Sequence, residues 1–431
     1  MAYVKTDRVK ALMNGYRQMK EANIPVFQLE RLNEQWRRAS GEIPYYLRLK
    51  AESYLPDVFS SLAEYRDKMP PLTKTVVKEN EISYKSPAPD HWRITGGSTA
   101  EPVQLPTWKS EYRENKLDIW LGRSWYGIEP ADKLFLYWGH THLLGTGMKG
   151  KIKGLQRKVK DYLQNYHRYS CFDLKEKALN EAGETIVRVK PDYIIGYAFP
   201  LDRLARANRS RAAAFKDIKI KAVIGASECF PFEDSAEVIS EVFHAPVGME
   251  YGSVETNLVG HTHPDGGYRV FWRSYLLEAA DSGSPEQEVY VTSLFSRCTP
   301  LFRYRLYDLI TVGPHCKKAG QVSLLSFDKV IGRSNKPVIL PSKRELHSWM
   351  VSYVLKDLKK IKGYQLWCEP EAVRLRLMLY TDLNEDEISS IKEKAIRVDE
   401  EFARFLTIEK VDELVKSIAG KVPRVVYSPE L

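Results

Sequence analysis

The chain has 431 residues, more than one ordinary domain contains, which predicts about two or three domains. Hydrophobic residues make up 43% and charged residues 28%, which is typical of a folded globular protein and excludes a fully disordered chain. The 65 Lys and Arg against 56 Asp and Glu give a net charge of +9, which suits nucleic acid, a membrane surface or an anionic small molecule equally well.

The sequence shows no pattern of a secretory leader or a membrane span. Residues 1–8 lack the apolar core of a signal peptide, and no run reaches the roughly 20 apolar residues that cross a bilayer. The cysteines are scattered, odd in number and without a C-x-x-C pair, which indicates a reducing compartment and no disulfide framework. We therefore expect a cytoplasmic protein. The cysteines are Cys171, Cys229, Cys298, Cys316 and Cys368.

The predicted elements change in character along the chain. Residues 1–85 are expected to be mostly helical, because apolar residues recur at helical spacing. From Arg93 to about Glu250, apolar strands alternate with amphipathic helices, which predicts a βαβ sheet. The elements of that region are a strand at 193–196, a helix at 201–215, a strand at 218–224 and a helix after Asp234.

The second half of the chain has two further patterns of predicted secondary structure. Beyond Gly266 the predicted elements are all strands, at 268–272, 288–292 and 301–312. After an interruption at Gly332, the last stretch of about 100 residues looks like a small α+β module that begins with a helix at 344–358.

The segment 94–102 is the first candidate site, and its central residues are Thr95, Gly96, Gly97, Ser98 and Thr99. Adjacent glycines allow a ligand to approach the backbone closely, and the three hydroxyls can donate to phosphate oxygens. The segment is not a Walker A loop, because the G-K-[ST] is missing. It is not a nucleophile elbow either, because Ala100 stands where G-x-S-x-G needs glycine. Taken alone, it is better explained as an ordinary turn.

Two further segments place a carboxylate near an aromatic ring at the end of a predicted strand. Tyr251 and Gly252 precede Glu255, an arrangement that suits a flat ring near a metal-bound phosphate. Asp308 ends a later β segment and can accept two ribose hydroxyls. Taken alone, the first is equally well a strand-end turn with a solvated glutamate, and the second an amphipathic strand.

In this order, the segments resemble those of the adenylate-forming (acyl-CoA synthetase-like) superfamily, and most of all its phenylacetate–CoA ligase and CapK-type branch. The resemblance runs from about Trp92 to the C-terminus. T-G-G-S-T-A-E-P is similar to the phosphate loop, G-A-S-E to the adenine-wall segment, Y-G-S-V-E to Y-G-x-x-E, and R-Y-R-L-Y-D to R-Y-R-T-G-D. The chain departs from these patterns at Ala100, Glu101, Leu306 and Tyr307.

The resemblance implies a role for each segment. The loop 95–99 would bind the ATP phosphates, Glu255 would coordinate Mg²⁺, and Asp308 would hold the ribose. The remaining residues of the implied adenine and ribose surface are Gly225, Ala226, Ser227, Glu228, Tyr251, Gly252 and Arg333.

The resemblance also implies a hinge and a catalytic lysine. Gly332-Arg333 is similar to the G-R of the family's hinge, with Asn335 where the backbone swivels, and G-K-V-P-R at 420–424 is similar to the terminal G-K-x-x-R. Lys421 would then be the adenylation lysine. The expected fold is α/β, with a large N-terminal domain of βαβ layers plus a β-rich subdomain at 1–332. A small mobile α+β C-terminal domain at 333–431 would follow a hinge at Arg333–Asn335.

Aromatic residues fall where this branch builds its acyl pocket. Trp138 and Tyr197 would suit a planar, aryl or small carboxylic acid. His140 or His142 could orient the carboxylate, or either histidine could have a structural role with a satisfied hydrogen bond.

Zinc and nucleic acid are not expected. Some members of the branch bind structural zinc where this chain has His261, His263, Cys298, His315 and Cys316, but no C-x-x-C or C-x-C pair supports such a site. The stretch 149–160 has six cations and no acid, which favours attraction of ATP or of the 3′-phosphate of CoA, or a solvated helix face. No nucleic-acid reader motif accompanies it.

The sequence therefore predicts a ligase that uses ATP and Mg²⁺ to activate a carboxylic acid as acyl-AMP, with release of pyrophosphate. The acyl group would pass to CoA, giving a thioester, or to an amine, giving an amide. The alternative, motivated by the four departures, is a non-catalytic nucleotide-binding or basic scaffold member of the fold. Retained Glu255, Asp308 and Lys421 favour catalysis. The identity of the acid and the formation of a homodimer stay open.

Overall fold

The chain begins with a run of helices and continues as several sheets with helices between some of their strands. The computed structural model describes residues 2–79, 82–84, 87–94, 104–139, 155, 157–171, 173–280, 286–314, 316–319, 322–333, 338–346, 350–355, 358, 360–416 and 422–428. Within these ranges, the side chains at 2–6, 78, 94, 112–115, 333, 350 and 352–353 are outside the description.

The described α-helices in chain order are α1 (Ala2–Gln18), α2 (Ile24–Glu42), α3 (Pro44–Glu52), α4 (Leu62–Lys68), α5 (Lys74–Lys78), α6 (Lys109–Ser124), α7 (Glu176–Val189), α8 (Ala198–Ala207), α9 (Ala212–Lys216), α10 (Ser235–Phe243), α11 (Met350–Leu355), α12 (Glu385–Val398) and α13 (Glu400–Phe405). None of these is long and apolar enough to cross a membrane.

The described strands are β1 (His91–Ile94), β2 (Gln104–Thr107), β3 (Leu134–Tyr137), β4 (Tyr166–Tyr169), β5 (Tyr193–Tyr197), β6 (Ala222–Ala226), β7 (Val247–Ser253), β8 (Asn257–Thr262), β9 (Tyr268–Val270), β10 (Tyr275–Ala279), β11 (Glu286–Ser293), β12 (Tyr304–Thr311), β13 (Lys318–Ala319), β14 (Ser323–Leu324), β15 (Ser326–Phe327), β16 (Lys329–Arg333), β17 (Val338–Ile339), β18 (Glu345–Leu346), β19 (Ile361–Cys368), β20 (Val373–Leu379), β21 (Leu406–Lys410) and β22 (Val425–Tyr427). The prediction that the elements beyond Gly266 are strands is confirmed by β9 to β12.

The described chain divides into two compact units. The first consists of Met1–Leu134 and Gly248–Ile331, and the second of Phe135–Val247 and Gly332–Leu431. The second unit thus contains both the βαβ region and the C-terminal module. The expected division into domains 1–332 and 333–431 stays a prediction.

In the first unit, antiparallel strands enclose a core with the N-terminal helices. One run of strands has the order β15-β9-β8-β7, and another has the order β10-β11-β12-β16. Side chains of α2 and α3, such as Trp36 and Tyr46, join this core beside Phe302. The helices of residues 1–85 are therefore an integral part of this unit, because they cover an apolar face of its sheets.

The N-terminal segment also extends one of these sheets. Between α4 and α5, Leu72 forms a parallel bridge with Tyr304 of β12, and its amide and carbonyl bond the backbone of Arg303 and Arg305 at 3.0 Å each. This bridge places the start of α5, at Lys74, close to the hairpin that follows β7.

In the second unit, the strands have the order β6-β5-β3-β4, and β5 lies parallel to β6 with Gly196 opposite Gly225. The predicted helix at 201–215 is in fact two, α8 and α9. The amide of Asn208 donates to the carbonyls of Leu179 and Leu204 at 2.9 Å, which ends α8. The strand predicted at 218–224 lies at 222–226, because Lys219 has a left-handed φ of 59° that interrupts an extended backbone.

The C-terminal module has its own sheet, ordered β21-β20-β19-β22, and its own apolar core. The helix predicted at 344–358 is wrong over its first turn, where β17 pairs with β18 and Val338 lies opposite Leu346. Within the second unit the module contacts α8 and the segment after β6: Arg203 Nη1 donates to Tyr380 Oη at 2.8 Å, and Arg424 Nη2 to the Phe230 carbonyl at 2.7 Å.

Candidate functional site

Glu255 lies at the turn of the hairpin between β7 and β8, and its side chain is almost fully buried. Tyr304 Oη donates to Glu255 Oε1 at 3.3 Å, and Lys74 Nζ lies 3.7 Å from the same oxygen. The carboxylate is thus oriented from β12 and from the N-terminus of α5. Carboxylate oxygens are ligands that a hard metal ion such as Mg²⁺ prefers, so Glu255 is a candidate metal ligand.

The turn that contains Glu255 has a defined backbone. Ser253 and Thr256 exchange hydrogen bonds, with Ser253 N donating to Thr256 Oγ1 at 3.2 Å and Thr256 N to Ser253 Oγ at 3.1 Å. Arg93 Nη1 donates to the carbonyls of Val254 at 3.1 Å and Glu255 at 2.8 Å. These bonds fix the turn from inside and from β1.

Gly252 is required by the close approach of the two strands. The pairing of β7 with β8 shifts between Tyr251 and Gly252, which is a β-bulge. A Cβ added at Gly252 would lie 2.1 Å from the carbonyl oxygen of Asn257 and 2.8 Å from Leu258 Cα. Any side chain here would force the strands apart, so the glycine of Y-G-S-V-E is structural as well as a motif residue.

Tyr251 and Asp308, predicted to contact adenine and ribose, lie together in the first unit. Tyr251 Oη donates to Asp308 Oδ2 at 3.2 Å, and both side chains are buried. The ring of Tyr251 packs edge-on against Phe327 at 5.4 Å between centroids. The phenol therefore orients the Asp308 carboxylate, a contact that the sequence did not predict.

Tyr307 stands where the family's pattern has glycine, yet its φ of 58° lies in the left-handed region that glycine favours. The guanidinium of Arg305 lies 4.5 Å from the ring centroid of Tyr307. The pairing of β11 with β12 is irregular at this point, since Tyr290 lies opposite Arg305 but Glu288 lies opposite Leu309. The backbone before Asp308 thus keeps a glycine-like conformation despite the departure, at a cost of about 1 kcal/mol.

The predicted adenine-wall residues lie in the second unit. Gly225 and Ala226 end the buried strand β6, and Ser227 follows with a φ of 72°. Glu228 Oε1 accepts a hydrogen bond of 3.2 Å from Phe199 N, in the first turn of α8. A carboxylate at a helix N-terminus is stabilised by the free amides there, so Glu228 also has a structural role.

Two predicted pocket residues meet beside this segment. The rings of Trp138 and Tyr197 lie 4.2 Å apart between centroids, and Tyr197 is the register partner of Ala226. Burial, with Cys171 and Glu228 nearby, raises the pKa of Tyr197. Trp138, Tyr197 and Ala226 follow or end their strands, and ligands of α/β sheets bind at the carboxyl ends of strands.

Gln365 on β19 bonds the chain on both sides of the predicted adenylation lysine. This fully buried amide donates to the carbonyls of Val415 at 2.7 Å and Pro423 at 3.0 Å, and accepts from Val415 N at 2.9 Å. Arg424, three residues after Lys421 and the last residue of the G-K-V-P-R motif, donates to the carbonyl of Phe230, two residues after Glu228.

Several predicted site residues lie outside the described residues. These are Thr95, Gly96, Gly97, Ser98, Thr99, His140, His142, Asn335 and Lys421, with the neighbouring Ala100 and Glu101. Only the backbone of Arg333, at the end of β16, is described.

The described residues fit Mg²⁺ better than a metal held by protein ligands alone. Among them there is no group of three or more His, Cys, Asp or Glu side chains that could hold a metal ion. Magnesium is commonly bound through one or two carboxylates together with substrate phosphates, and Glu255 offers such a carboxylate. Two of the residues that were considered as zinc ligands are buried: His261 has its Nδ1 2.8 Å from the Thr262 carbonyl, and burial raises the pKa of Cys298 to about 12.

Lys74 and Arg93 are functional candidates that the sequence did not indicate. Lys74 lies in the helical segment in which no chemistry was expected, and Arg93 lies in a short strand before the loop. Neither has a motif around it, and their partner Glu255 is more than 150 residues away, with a separation of 162 for Arg93.

Of the comparisons with known proteins, the one with solved structures gives matches. The sequence matches no family model and none of the curated proteins. Among solved structures, the chain is similar to 2-hydroxyisobutyryl-CoA ligase in the postadenylation state in complex with 2-HIB-AMP, with a TM-score of 0.69, 15% identity, and coverage of 94% of this chain and 89% of that chain.

Two further structures are similar over a smaller part. They are the anthranilate CoA ligase AuaEII in complex with anthranoyl-AMP, with a TM-score of 0.50, 15% identity and coverage of 77% of this chain and 65% of that chain, and acetoacetyl-CoA synthetase from Streptomyces lividans, with a TM-score of 0.50, 15% identity and coverage of 77% and 53%. At such identities the likeness concerns the fold alone. The predicted α/β class is confirmed, and the chain has the fold of the adenylate-forming acyl-CoA ligases.

Proposed function

We propose that this protein is an ATP- and Mg²⁺-dependent ligase that activates a carboxylic acid as acyl-AMP, releases pyrophosphate, and transfers the acyl group to CoA or to an amine. The observation that supports this most is the arrangement of the first unit. A buried, oriented Glu255 lies at one hairpin turn, and an Asp308 oriented by Tyr251 lies on a strand of the same unit. Both occur in a chain with the fold of acyl-AMP-forming enzymes.

The first half-reaction joins two anions. An oxygen of the substrate carboxylate attacks the α-phosphorus of ATP, the bond between that phosphorus and the bridging oxygen of pyrophosphate breaks, and acyl-AMP forms. The step depends on positioning and charge neutralisation, because the reactants repel each other. Bound Mg²⁺ would neutralise charge on the phosphates. Glu255 would hold it, the loop 95–99 would donate to the β- and γ-phosphates, and Lys421 would neutralise the oxygens between the carboxylate and the α-phosphate.

The nucleoside would be held by the residues to which the resemblance gives that role. Asp308, oriented by Tyr251, is suited to accept the ribose hydroxyls, because an ionised carboxylate offers two acceptor oxygens. Gly225, Ala226, Ser227 and Glu228 would form the adenine surface, with Tyr251, Gly252 and Arg333 as its further members. The exposure of Ser227, directly after β6, supports this proposal.

The acid is proposed to be aryl or small, as in the phenylacetate–CoA ligase and CapK-type branch. The Trp138–Tyr197 ring pair supports this, because aromatic walls favour a planar acyl group and leave little room for a long chain. His140 or His142 would orient its carboxylate.

The acceptor is proposed to be CoA, with an amine as the alternative. The similar structures are named as CoA ligases or synthetases, which favours a thioester product. The proposed C-terminal domain, 333–431, would swivel at Arg333–Asn335 to withdraw Lys421 before transfer. The Arg203–Tyr380 and Arg424–Phe230 contacts would have to break in such a movement.

A pyrophosphate-release assay with ATP, Mg²⁺ and a panel of aryl and small acids tests the proposal. Release with at least one acid is expected, and repetition with CoA and with amines identifies the acceptor. Lys421→Ala should lose adenylation but still use a supplied acyl-adenylate, whereas Lys410→Ala, a surface lysine paired with Asp382, should behave as wild type. No release with any acid would favour the non-catalytic nucleotide-binding alternative, and normal adenylation by Lys421→Ala would refute the role of that lysine.

A further inference from the structure

Arg93 is a buried cation, and the hydrogen bonds described for its side chain are to the backbone of one turn. Its side chain is 8% exposed, and Nη1 donates to the carbonyl oxygens of both Val254 and Glu255. Among the residues that the structure describes, no carboxylate lies within ion-pair distance of Arg93. The guanidinium therefore stabilises the residue that bears the carboxylate through its main chain.

Burying Arg93 in this way lowers the stability of the fold, so stability alone does not explain it. The buried guanidinium loses hydration that an exposed one would keep. Nε of Arg93 is buried and has no hydrogen-bond partner within the described part of the chain. An apolar residue at this place on β1 would avoid both costs.

The bonds of Arg93 complete a three-sided support of Glu255. Tyr304 and Lys74 orient the carboxylate from β12 and α5, and Arg93 fixes the backbone from β1. β1 is held in turn by antiparallel pairing with β2, where Arg93 lies opposite Leu105. The carboxylate can therefore keep one orientation without a metal being present.

We propose that Arg93 is a positioning residue for Glu255, which holds the hairpin turn so that the carboxylate is preorganised to take a divalent cation with the ATP phosphates. This inference rests on the proposed function, since it assigns Glu255 to Mg²⁺. Residues that orient a metal ligand from behind change metal affinity by about 10- to 100-fold when they are replaced. The guanidinium itself contacts neither metal nor substrate in this assignment.

The test compares Arg93→Lys and Arg93→Met with wild type and with Arg123→Lys. Arg123 is a matched control, because it is also a largely buried arginine of the first unit, but it pairs with Glu250 at 2.9 Å. Binding of Mn²⁺ in the presence of ATP is measured by electron paramagnetic resonance, and urea unfolding is measured for each variant. Arg93→Lys keeps the charge, so it decides the test if Arg93→Met does not fold.

We expect Arg93→Lys to weaken Mn²⁺ binding by about tenfold or more, while Arg123→Lys binds Mn²⁺ as wild type does. In Arg93→Lys, the kcat of pyrophosphate release should fall together with the affinity for Mn²⁺. Excess Mg²⁺ should restore part of the rate. Unchanged Mn²⁺ binding by an Arg93→Lys protein that is destabilised like Arg123→Lys would overturn the inference and leave Arg93 a structural residue.

The two proposals fail in different ways. If wild type binds Mn²⁺ with ATP but releases no pyrophosphate with any acid, the ligase function is refuted, and the tenfold effect of Arg93→Lys on Mn²⁺ still supports its positioning role. If wild type binds no Mn²⁺ in the presence of ATP, the assignment of Glu255 is refuted and the role of Arg93 with it.

Discussion

Acidification should weaken the hairpin that bears Glu255, through the buried histidine on β8. His261 is fully buried beside the rings of Trp125 and Tyr126, at 6.2 and 5.5 Å between centroids. Its Nδ1 donates to the Thr262 carbonyl at 2.8 Å, whereas its Nε2 has no partner within the described residues. Burial lowers the pKa of His261 to about 4, although Glu250 acts in the opposite direction.

The sign and size of the effect follow from this pKa. An unfolded histidine takes up a proton below about pH 6.5, and the folded one only below about pH 4. The contribution is therefore complete above pH 6.5 and is lost as the pH falls through this window. The free energy of unfolding should drop by about 1.4 kcal/mol at pH 5.5 and about 2.5 kcal/mol at pH 4.5 from His261 alone.

Urea unfolding of wild type and His261→Gln, followed by tryptophan fluorescence at several pH values, measures this contribution. All other titrating groups are common to both proteins, so the difference between their unfolding free energies isolates His261. The variant should be less stable near pH 7, because it loses the ring packing, but the difference should shrink by about 2.5 kcal/mol at pH 4.5. A difference that stays constant with pH would refute the argument that His261 is buried in its neutral form.

Three further substitutions test the backbone of the candidate sites. Tyr307→Val should unfold in urea about 1 kcal/mol more easily than Tyr307→Asn, because a left-handed φ disfavours β-branched residues, and equal stabilities would contradict this. Gly252→Ala should cost about 2 kcal/mol or more by calorimetry, since its Cβ would lie 2.1 Å from a carbonyl oxygen, whereas Gly41→Ala, with open space around it, should cost nothing. Gln365→Leu should cost about 3 kcal/mol in thermal unfolding, because three backbone hydrogen bonds lose their partner, and a loss below about 1 kcal/mol would argue against that clamp.

Much of the fold could be predicted because apolar runs and turns are local signals. The strand at 193–196 and the helix after Asp234 are confirmed as β5 and α10. Burial alternates along β12, with Asp308 on the buried face. The helix break at Asn208 could not be predicted, since the side chain bonds Leu179, 29 residues earlier. Such a contact exists only after the helices have packed.

Some residues of the candidate site could also be predicted from the sequence, and others could not. The segments with Tyr251, Glu255 and Asp308 could be found because glycines and carboxylates follow strands in a familiar order. The groups that orient them could not be found, because Lys74 and Arg93 have ordinary local sequences and meet Glu255 only through the pairing of distant strands. Tyr307 is a third case: its identity departs from the pattern, while its backbone conformation does not.

The bridge between Leu72 and Tyr304 shows that the candidate site needs residues that lie before its first sequence motif. A truncated protein that begins at Trp92 would contain every recognisable motif. It would lose the sheet-edge partner of the strand that bears Asp308, the lysine beside Glu255, and the Tyr65 hydroxyl that lies 2.7 Å from Thr292 Oγ1. Chimeras that exchange the first 85 residues between proteins of this fold would therefore exchange part of the surroundings of Glu255, although the exchanged segment has no motif of its own.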